Sequence, residues 1–227
     1  MHLPISDKIE LNILHQNSHQ AEKNQIKFNN YNLLCLNIMS SPGAGKTRLL
    51  EITLEDLSKK FHSAVLEGDM TTNLDAARLE KLNIPVVPIT TGRACHLDAN
   101  MVSGGLKLLE KKINPDLLDI LLVENVGNLV CPAEFEIGEH FKVALLSITE
   151  GEDKPLKYPI MFREADLILI TKVDLLPHLN FDINELKSNI ASTNPKADVI
   201  EISSITKSGF YLWQDWISKK ILKFKNN

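Results

Sequence analysis

The sequence has few cysteines, no excess of positive charge and no long apolar run, and each shortage excludes a class of protein. Three cysteines in 227 residues are too few for a disulfide framework, so we expect a protein of a reducing, cytoplasmic compartment. Lys and Arg number 25 against 29 Asp and Glu, and the net charge of -4 gives no positive field for nucleic acid. No apolar run reaches the roughly 20 residues of a membrane span, and residues 1–16 lack the apolar core of a signal peptide. We therefore expect neither nucleic acid nor a membrane as a partner.

From residue 31 onward the sequence alternates regularly between short apolar runs and amphipathic stretches. This alternation predicts an α/β fold with a mostly parallel sheet and helices on both faces, because strands buried on two sides are apolar throughout. The predicted strands are residues 32–39, 63–69, 84–90, 117–125, 141–148, 165–172 and 197–203. The predicted helices are residues 48–61, 73–82, 97–112, 183–192 and 209–224.

The first 30 residues are polar and rich in Asn and Gln. We interpret residues 1–30 as an N-terminal extension, with a short helix over residues 9–16 followed by a linker, and residues 31–227 as one domain. The histidines of the extension, His2, His15 and His19, are scattered, which is typical of a solvated tail rather than of a metal site.

The stretch "SSPGAGKT", residues 40–47, follows the first predicted strand and precedes a predicted helix. It matches the P-loop pattern G-x-x-x-x-G-K-[ST] except that Ser40 stands at the first glycine. A loop of this kind cradles phosphate with backbone N–H groups and the positive end of the helix, so residues 31–227 are predicted to form a P-loop domain. The alternative is a glycine-rich turn before a helix. The predicted phosphate-binding residues are Gly43, Ala44, Gly45, Lys46, Thr47 and Arg48.

A second motif, "TKVD" at residues 171–174, follows the sixth predicted strand and resembles the N-K-x-D pattern that reads guanine. A carboxylate at Asp174 can accept two hydrogen bonds from the guanine edge, which adenine does not offer. Lys172 would lie over the ring, and Thr171 replaces the usual Asn. Ser203 and Ser204, after the last strand, occupy the position of a loop that backs the base. Alone the motif is weak and fits an ordinary surface loop; after a P-loop it favours guanine.

Acidic residues at two further strand ends predict a magnesium site. Asp69 ends the second strand, and Glu124 ends the fourth, three residues before Gly127 in the arrangement of a D-x-x-G motif. With Thr47 these carboxylates are the predicted Mg²⁺ ligands, and Lys46, Asp69 and Glu124 the predicted catalytic residues. Gly127 would sense the γ-phosphate through its N–H. No glutamine is placed to orient water, so we expect slow hydrolysis.

The segment after Asp69 is predicted to be a switch that responds to the nucleotide. Thr71, Thr72 and Asp75 are its polar residues. The alternative is that Thr72 and Asp75 only cap the helix that follows.

Two of the three cysteines lie near these motifs. Cys95 is next to His96 after the third strand, and Cys131 follows Gly127 by four residues. Thiolate and imidazole bind Zn²⁺ and also Ni²⁺, provided that Cys95 and His96 lie in a turn, for which Gly92 is well placed. Three ligands leave a tetrahedral site one short, to be completed by water or by a second subunit. The plainer interpretation is a buried thiol and an unrelated histidine, as we expect for Cys35 within the first strand.

Five stretches occur together and in order: "MSSPGAGKT", "LEGDMTTNLDAARL", "TTGRACHLDANMV", "VENVGNLVCPAEFEIGE" and "TKVDLLP". With them the chain resembles the HypB family, the GTPases of nickel insertion during nickel–iron hydrogenase maturation, over roughly residues 30–215. The pieces "GRACHLDA" and "NLVCP" are the most specific, and Ser40 and Glu124 follow the family's own motifs.

The resemblance implies a SIMIBI-type G domain that hydrolyses GTP to GDP with Mg²⁺ and dimerises when GTP is bound. It implies a nickel or zinc site made of Cys95, His96 and Cys131. It also implies two partners, a HypA-like nickel protein and the precursor of the hydrogenase large subunit. The related urease accessory GTPases carry a Cys-Pro-His triplet, and here no proline separates Cys95 from His96. A P-loop kinase that phosphorylates a small molecule, and a scaffold with a structural metal, are two further functions that such motifs allow.

Overall fold

The computed structural model of the protein describes residues 5–71 and 74–226, with side chains from residue 12 onward. Thr72, which the sequence predicts to lie in a switch, and His2 are outside the described residues. In the described part of the chain, no helix has the length and apolar character needed to cross a membrane.

The strands form near the positions that the apolar runs predict. They are β1 (Leu34–Ser40), β2 (Ser63–Asp69), β3 (Val86–Thr90), β4 (Ile120–Glu124), β5 (Phe141–Ser147), β6 (Leu167–Thr171) and β7 (Asp198–Ile202). The α-helices of the described chain are α1 (Ile5–Asn30), α2 (Lys46–Leu57), α3 (Leu74–Glu80), α4 (Ala99–Leu109), α5 (Cys131–Glu134), α6 (Lys154–Lys157), α7 (Pro159–Glu164), α8 (Ile183–Thr193) and α9 (Phe210–Lys225). The three short helices α5, α6 and α7 were not predicted from the sequence.

The seven strands make one sheet in the order β3-β2-β4-β1-β5-β6-β7, and every neighbouring pair is parallel. The prediction of a mostly parallel sheet is therefore confirmed. The chain builds one half of the sheet from β1 to β4 and then crosses to the other side of β1 for β5, β6 and β7. A ligand site is expected at such a switch point, outside the carboxyl ends of the strands. The P-loop lies there, directly after β1.

Helices cover both faces of the sheet, as predicted. Leu34, Leu36 and Ile38 of β1 pack in a buried cluster with α2, α3 and α9, while Cys35 points to the opposite face and packs in a cluster with α1 and α4. A third cluster joins β5 and β6 to α7 and α8. Burial on both faces explains why these strands lack the polar alternation of a half-exposed sheet. Cys35 is a core residue, as the sequence predicts.

The N-terminal segment differs from its prediction. Instead of a short helix and a linker, α1 is a single helix of 26 residues. Asn17, Ala21, Asn24 and Phe28 are buried along one face of it, at a helical spacing that an apolar pattern does not reveal because half of these residues are polar. Phe28 joins the core cluster beside α4. His15 and His19 lie on the solvent side of α1, at positions that are not buried. A domain boundary at residue 31 stays a prediction.

Candidate nucleotide and metal sites

The P-loop joins β1 to α2 through two glycines in left-handed conformations. Gly43 has φ 76° and Gly45 has φ 100°, values that a residue with a Cβ rarely adopts. Lys46 is buried, and its Nζ donates a hydrogen bond to Ser40 Oγ at 3.0 Å. Burial lowers the pKa of Lys46, and the nearby carboxylate of Glu124 opposes that effect. The serine at the first glycine position thus holds the lysine in the phosphate cavity.

Thr47 and Glu124 meet at the floor of the same cavity. Thr47 Oγ1 donates to Glu124 Oε1 at 2.7 Å, and Glu124 Oε2 is buried without a hydrogen-bond partner. Burial raises the pKa of Glu124 to about 7, although Lys46 and Thr47 oppose the shift. A buried carboxylate oxygen without a partner is costly unless a cation or donor meets it. The hydroxyl and the carboxylate are oxygen ligands of the kind that Mg²⁺ binds, so the residues present fit this ion.

Glu67 is a site residue that was not predicted from the sequence. It lies opposite Glu124 in the parallel register of β2 and β4, is only 2% exposed, and its Oε2 has no hydrogen-bond partner. Burial, together with the carboxylates of Glu124 and Asp69, raises the pKa of Glu67 to about 8. An available signal was the charged residue within an otherwise apolar strand, two positions before Asp69 and therefore on the same face.

Of the predicted switch residues, Asp75 lines the cavity, whereas Thr71 is not among its lining residues. Asp69 and Asp75 both line this cavity of about 420 Å³. Asp69 Oδ1 accepts from Met70 N at 2.5 Å, which orders the first residue of the switch. Asp75 lies in the first turn of α3 and accepts from Arg78 Nη1 at 2.9 Å. Arg78 also lines the cavity, although it was not among the residues predicted for the site.

Arg48 and Arg78 meet on one carboxylate of α2. Arg78 donates two hydrogen bonds to Glu51, at 2.8 and 2.9 Å, and Arg48 donates one at 3.0 Å. The bidentate contact fixes α3, and with it the end of the switch, against the helix that follows the P-loop.

Gly127 lies directly against the P-loop. A Cβ at this position would be 2.8 Å from Pro42 Cα and 2.9 Å from Pro42 N. Both are backbone atoms, so only glycine permits the contact. The loop after β4 therefore rests on the phosphate loop at the place where the sequence predicts a γ-phosphate sensor.

The residues of the predicted guanine site are tied together and to the P-loop. Thr171 Oγ1 donates to Ala44 O at 2.8 Å, which is a physical role for the residue in the usual Asn position. Lys172 has φ 61°, which turns the chain sharply at the strand end. Asp174 Oδ1 accepts from Ser203 Oγ at 2.5 Å, so the loop after β7 positions the carboxylate. Ser204 is partly exposed beside it.

Cys95, His96 and Cys131 lie together. One ligand atom from each residue lies within 4.8 Å of the other two, and no other such group occurs among the described residues. The two Sγ atoms are 3.2 Å apart, and Cys95 Sγ is 3.9 Å from His96 Nδ1. A turn over residues 91–94 comes just before these two residues, since Gly92 has φ 67° and Ala94 N donates to Thr91 O. Cys95 and His96 follow in a bend and not on a strand.

The surroundings of Cys131 and His96 favour the neutral forms of both side chains when no cation is near. Burial raises the pKa of Cys131 to about 11, with the adjacent Cys95 adding to the shift, and burial lowers the pKa of His96. The His96 ring packs against the Phe135 ring, with centroids 4.1 Å apart and planes tilted by 32°, which restricts the orientation of the imidazole. A divalent cation would reverse the thiol shift, because coordination deprotonates a thiol.

A buried amide joins the loop of Cys95 and His96 to the nucleotide cavity. Asn125, directly after Glu124, accepts from Leu97 N at 2.9 Å, and Leu97 directly follows His96. The Leu97 side chain packs on Gly68, where a Cβ would approach it to 2.7 Å. Leu97 is thus held by the residue after Glu124 and by the residue before Asp69. No pattern in the sequence indicates either contact.

Comparison with known proteins adds to this geometry. A sequence model of the nucleotide-binding domain of CobW, HypB and UreG matches residues 34–201. HypB of Azotobacter vinelandii, a hydrogenase maturation factor, is 48% identical over 94% of this chain and 69% of its own length. The chain belongs to the HypB family of hydrogenase maturation factors. The family resemblance inferred from the motifs is therefore confirmed.

Other members of the HypB family are similar in sequence and in structure. A Helicobacter pylori member described as a hydrogenase/urease maturation factor is 43% identical over 87% of this chain and 81% of its own length. The crystal structure of HypB from Helicobacter pylori in complex with nickel superposes with a TM-score of 0.87 at 39% identity, covering 92% of this chain and 96% of that one.

A more distant structural relative bears on the fold alone. The 54 kDa protein of the signal recognition particle from Aeropyrum pernix, in complex with GDP, gives a TM-score of 0.53 at 10% identity, covering 75% of this chain and 41% of that one. The prediction of a SIMIBI-type P-loop fold is confirmed. The ligand roles of the individual site residues stay predictions.

Proposed function

We propose that this chain is a GTP-hydrolysing metallochaperone that delivers nickel during nickel–iron hydrogenase maturation in the cytoplasm. The observation that carries the proposal is the convergence of Cys95, His96 and Cys131 within 4.8 Å, on segments joined to the nucleotide cavity through the Leu97–Asn125 hydrogen bond. Two thiolates and an imidazole are ligands for Ni²⁺ and for Zn²⁺. The similarity to a HypB crystallised with nickel supports Ni²⁺ as the cargo.

In this proposal the P-loop residues bind the phosphates of GTP. Lys46 meets the β- and γ-phosphates, and the N–H groups of residues 43–48 surround them. Thr47, Glu124 and Asp69 would hold Mg²⁺, supported by the unpartnered Oε2 of Glu124. When bound, Mg²⁺ neutralises charge on the phosphate oxygens. Glu67 adds a second buried acceptor at the same place.

Hydrolysis is proposed to be slow, and guanine to be the base. No glutamine is among the described residues that line the phosphate cavity, so none orients water there. Asp174 is the proposed base reader, supported by the hydrogen bond from Ser203 that holds its carboxylate.

The metal site is proposed to respond to the nucleotide through two connections. Gly127 packs against Pro42 of the P-loop, and Cys131 lies four residues after Gly127. Leu97, next to His96, is held by Asn125 and Gly68 at the ends of β4 and β2. A γ-phosphate that moves either strand end would therefore move one part of the ligand set against the other. Such a switch works only if GTP and GDP states differ in nickel affinity.

GTP-favoured dimerisation is part of the proposal. Met70 lines the nucleotide cavity, Leu74 begins α3 and Val130 precedes Cys131, and all three are exposed apolar side chains. A second subunit meeting this rim would bury them and would be placed to supply the fourth metal ligand, the alternative being water. The proposed partners are a HypA-like nickel protein and the precursor of the hydrogenase large subunit.

The test measures Ni²⁺ affinity by competition with a chelating dye, in GDP and in a non-hydrolysable GTP analogue, together with molecular mass. We expect different affinities in the two states and a dimer with the analogue. Equal affinities would refute the coupling. Cys95→Ala and Cys131→Ala should lose nickel and keep GTP hydrolysis, whereas Cys35→Ala, which alters a core thiol outside the site, should keep both.

A structural-metal scaffold or a small-molecule kinase would give different results with the same variants and the same purified protein. In a scaffold with a structural metal, Cys95→Ala and Cys131→Ala would lose the fold or the dimer instead of delivery. A small-molecule kinase would transfer labelled phosphate from the nucleotide to a metabolite.

A urease-type function is kept as a second candidate, because one similar relative is described as a hydrogenase/urease factor. Activation of urease as well as hydrogenase by this chain, in cells that lack their own factors, would support the dual role. Activation of urease alone would overturn the hydrogenase assignment.

A further inference from the structure

The N-terminal helix makes hydrogen bonds to both segments that carry the proposed metal ligands. Asn17 Oδ1 accepts from Ala99 N at 2.9 Å, and Asn17 Nδ2 donates to Glu136 O at 2.8 Å. Asn24 Nδ2 donates to Ala99 O at 2.7 Å and to Ile137 O at 3.0 Å. Each asparagine therefore connects the start of α4 to the segment between α5 and β5.

These bonded atoms are close in sequence to the three ligands. Ala99 follows His96 by three residues and is the first residue of α4, where the N–H has no partner within the helix. Glu136 follows Cys131 by five residues and directly follows Phe135, whose ring packs against His96. Fixing these backbone atoms therefore limits how far Cys131 and the His96 ring can move relative to each other.

Close backbone packing adds to the same connection. Gly138 has φ 94°, and a Cβ there would lie 2.6 Å from Ala21 O of α1. Ala21 lies between Asn17 and Asn24 on the buried face of the helix. The segment after Cys131 therefore lies against the backbone of α1 and is bonded to it on both sides of this contact.

The chemistry of the contact indicates positioning rather than simple packing. Asn17 and Asn24 are 5% and 2% exposed, and the remaining acceptor of Asn24 is satisfied by Gln20 Nε2 at 2.9 Å. Apolar residues at these sites would bury α1 with a smaller desolvation penalty, but they would not fix its register against the two segments. Buried, fully bonded amides define a single relative position.

We infer that α1 is a positioning element of the metal site, and that Asn17 and Asn24 set the distance between the His96 and Cys131 segments. The inference rests on the proposed function, since it assumes that these residues bind nickel. Neither asparagine lines the nucleotide cavity. Losing their bonds should therefore weaken nickel binding and leave nucleotide binding unchanged.

The experiment compares Asn17→Ala and Asn24→Ala with Phe28→Leu in the full chain. Phe28 is buried on the same face of α1 and packs in the core, so its variant controls for a general loss of helix packing. The readouts are Ni²⁺ affinity by dye competition, the thiolate-to-nickel absorption band, GDP affinity and thermal unfolding. We expect about tenfold weaker nickel binding and a shifted absorption band in both asparagine variants. Tenfold is the lower end of the loss in metal affinity seen when a residue that orients a metal ligand is removed. The GDP affinity of the asparagine variants should not change. Phe28→Leu should unfold at a lower temperature but bind nickel with the affinity of the unaltered protein.

A third variant protects the test against failure to fold. Asn17→Leu fills nearly the same buried volume without either hydrogen bond, so it should keep the fold better than Asn17→Ala and show a similar nickel defect. Unchanged nickel affinity and spectrum in folded variants would overturn the inference, as would an equal nickel defect in Phe28→Leu. If the unaltered protein binds no nickel, the proposed function itself fails, which is a distinct outcome.

Discussion

Asn125 offers the sharpest test of communication between nucleotide and metal. Its Oδ1 accepts from Leu97 N and from Val126 N, each at 2.9 Å, and its Nδ2 donates to Asn37 Oδ1 at 3.1 Å. Asn125→Ala removes the bond that joins the residue after His96 to the residue after Glu124. We expect the nickel affinities of the GDP and GTP-analogue states to become more alike.

The size of the effect follows from the bonds. A hydrogen bond contributes a net of about 0.5–1.5 kcal/mol, so the loss of this connection should change the ratio of nickel affinities by about two- to tenfold. Stability should also fall, because Leu97 N, Val126 N and Asn37 Oδ1 lose the partner that Asn125 supplies, at about 1–3 kcal/mol for each group left buried and unpaired.

Asn37→Ala is the matched control. Asn37 bonds Asn125 and donates to Glu139 Oε1 at 3.2 Å, so its removal disrupts the same buried network and leaves Leu97 bound to Asn125. Nickel affinity is measured by dye competition in both nucleotide states, with urea unfolding to match the two variants in stability. If Asn125→Ala keeps the ratio of the unaltered protein, or if Asn37→Ala loses it equally, the connection through Leu97 is refuted.

Three further predictions test the nucleotide site and the core. Gly127→Ala places a Cβ 2.8 Å from Pro42 Cα; such overpacking costs about 1–3 kcal/mol, and titration should show weaker GTP-analogue binding with a smaller change for GDP. Asp174→Asn should weaken guanine nucleotides by about 1.5–3 kcal/mol without weakening ATP, and an equal loss for both would contradict the base-reading role. Burial lowers the pKa of His140 from 6.5 to about 4. The contribution of the neutral imidazole to the free energy of unfolding is therefore complete above pH 6.5 and is lost as pH falls toward 4, by up to about 3 kcal/mol. In urea unfolding between pH 7.5 and 4.5, His140→Gln should remove that part of the pH dependence of the unfolding free energy, and an unchanged pH dependence would contradict the prediction.

The parts of the molecule that could be predicted are those with a local signal. The strands were predictable because burial on both faces makes them apolar throughout. The P-loop was predictable because φ values of 76° and 100° at Gly43 and Gly45 demand glycine, and the lysine follows at a fixed spacing. The closeness of Cys95 and Cys131 could be expected because the carboxyl ends of parallel strands share one edge of the sheet.

The parts that could not be predicted depend on pairing between distant strands and helices. Glu67 becomes a site residue only when β2 pairs with β4 in the register that places it beside Glu124. The role of α1 was hidden because its buried positions include Asn17 and Asn24, and a search for apolar periodicity does not count asparagine. Buried amides that bond backbone atoms carry no pattern that sequence spacing alone can reveal.

The contacts of the proposed metal site form two sets with different consequences. The contacts of Gly127 with Pro42, and of Leu97 with Asn125, lie at the nucleotide cavity, and in our proposal they follow the nucleotide state. The bonds of α1 to Ala99 and to the segment at Glu136 act at the far ends of the same two segments and do not touch the nucleotide cavity. When the nucleotide displaces the end of a segment near its cavity while α1 holds the other end, we expect the segment to rotate more than it shifts. We therefore expect the three proposed ligands, on two such segments, to change their angles around the metal, and coordination geometry is one of the features by which a site selects its metal.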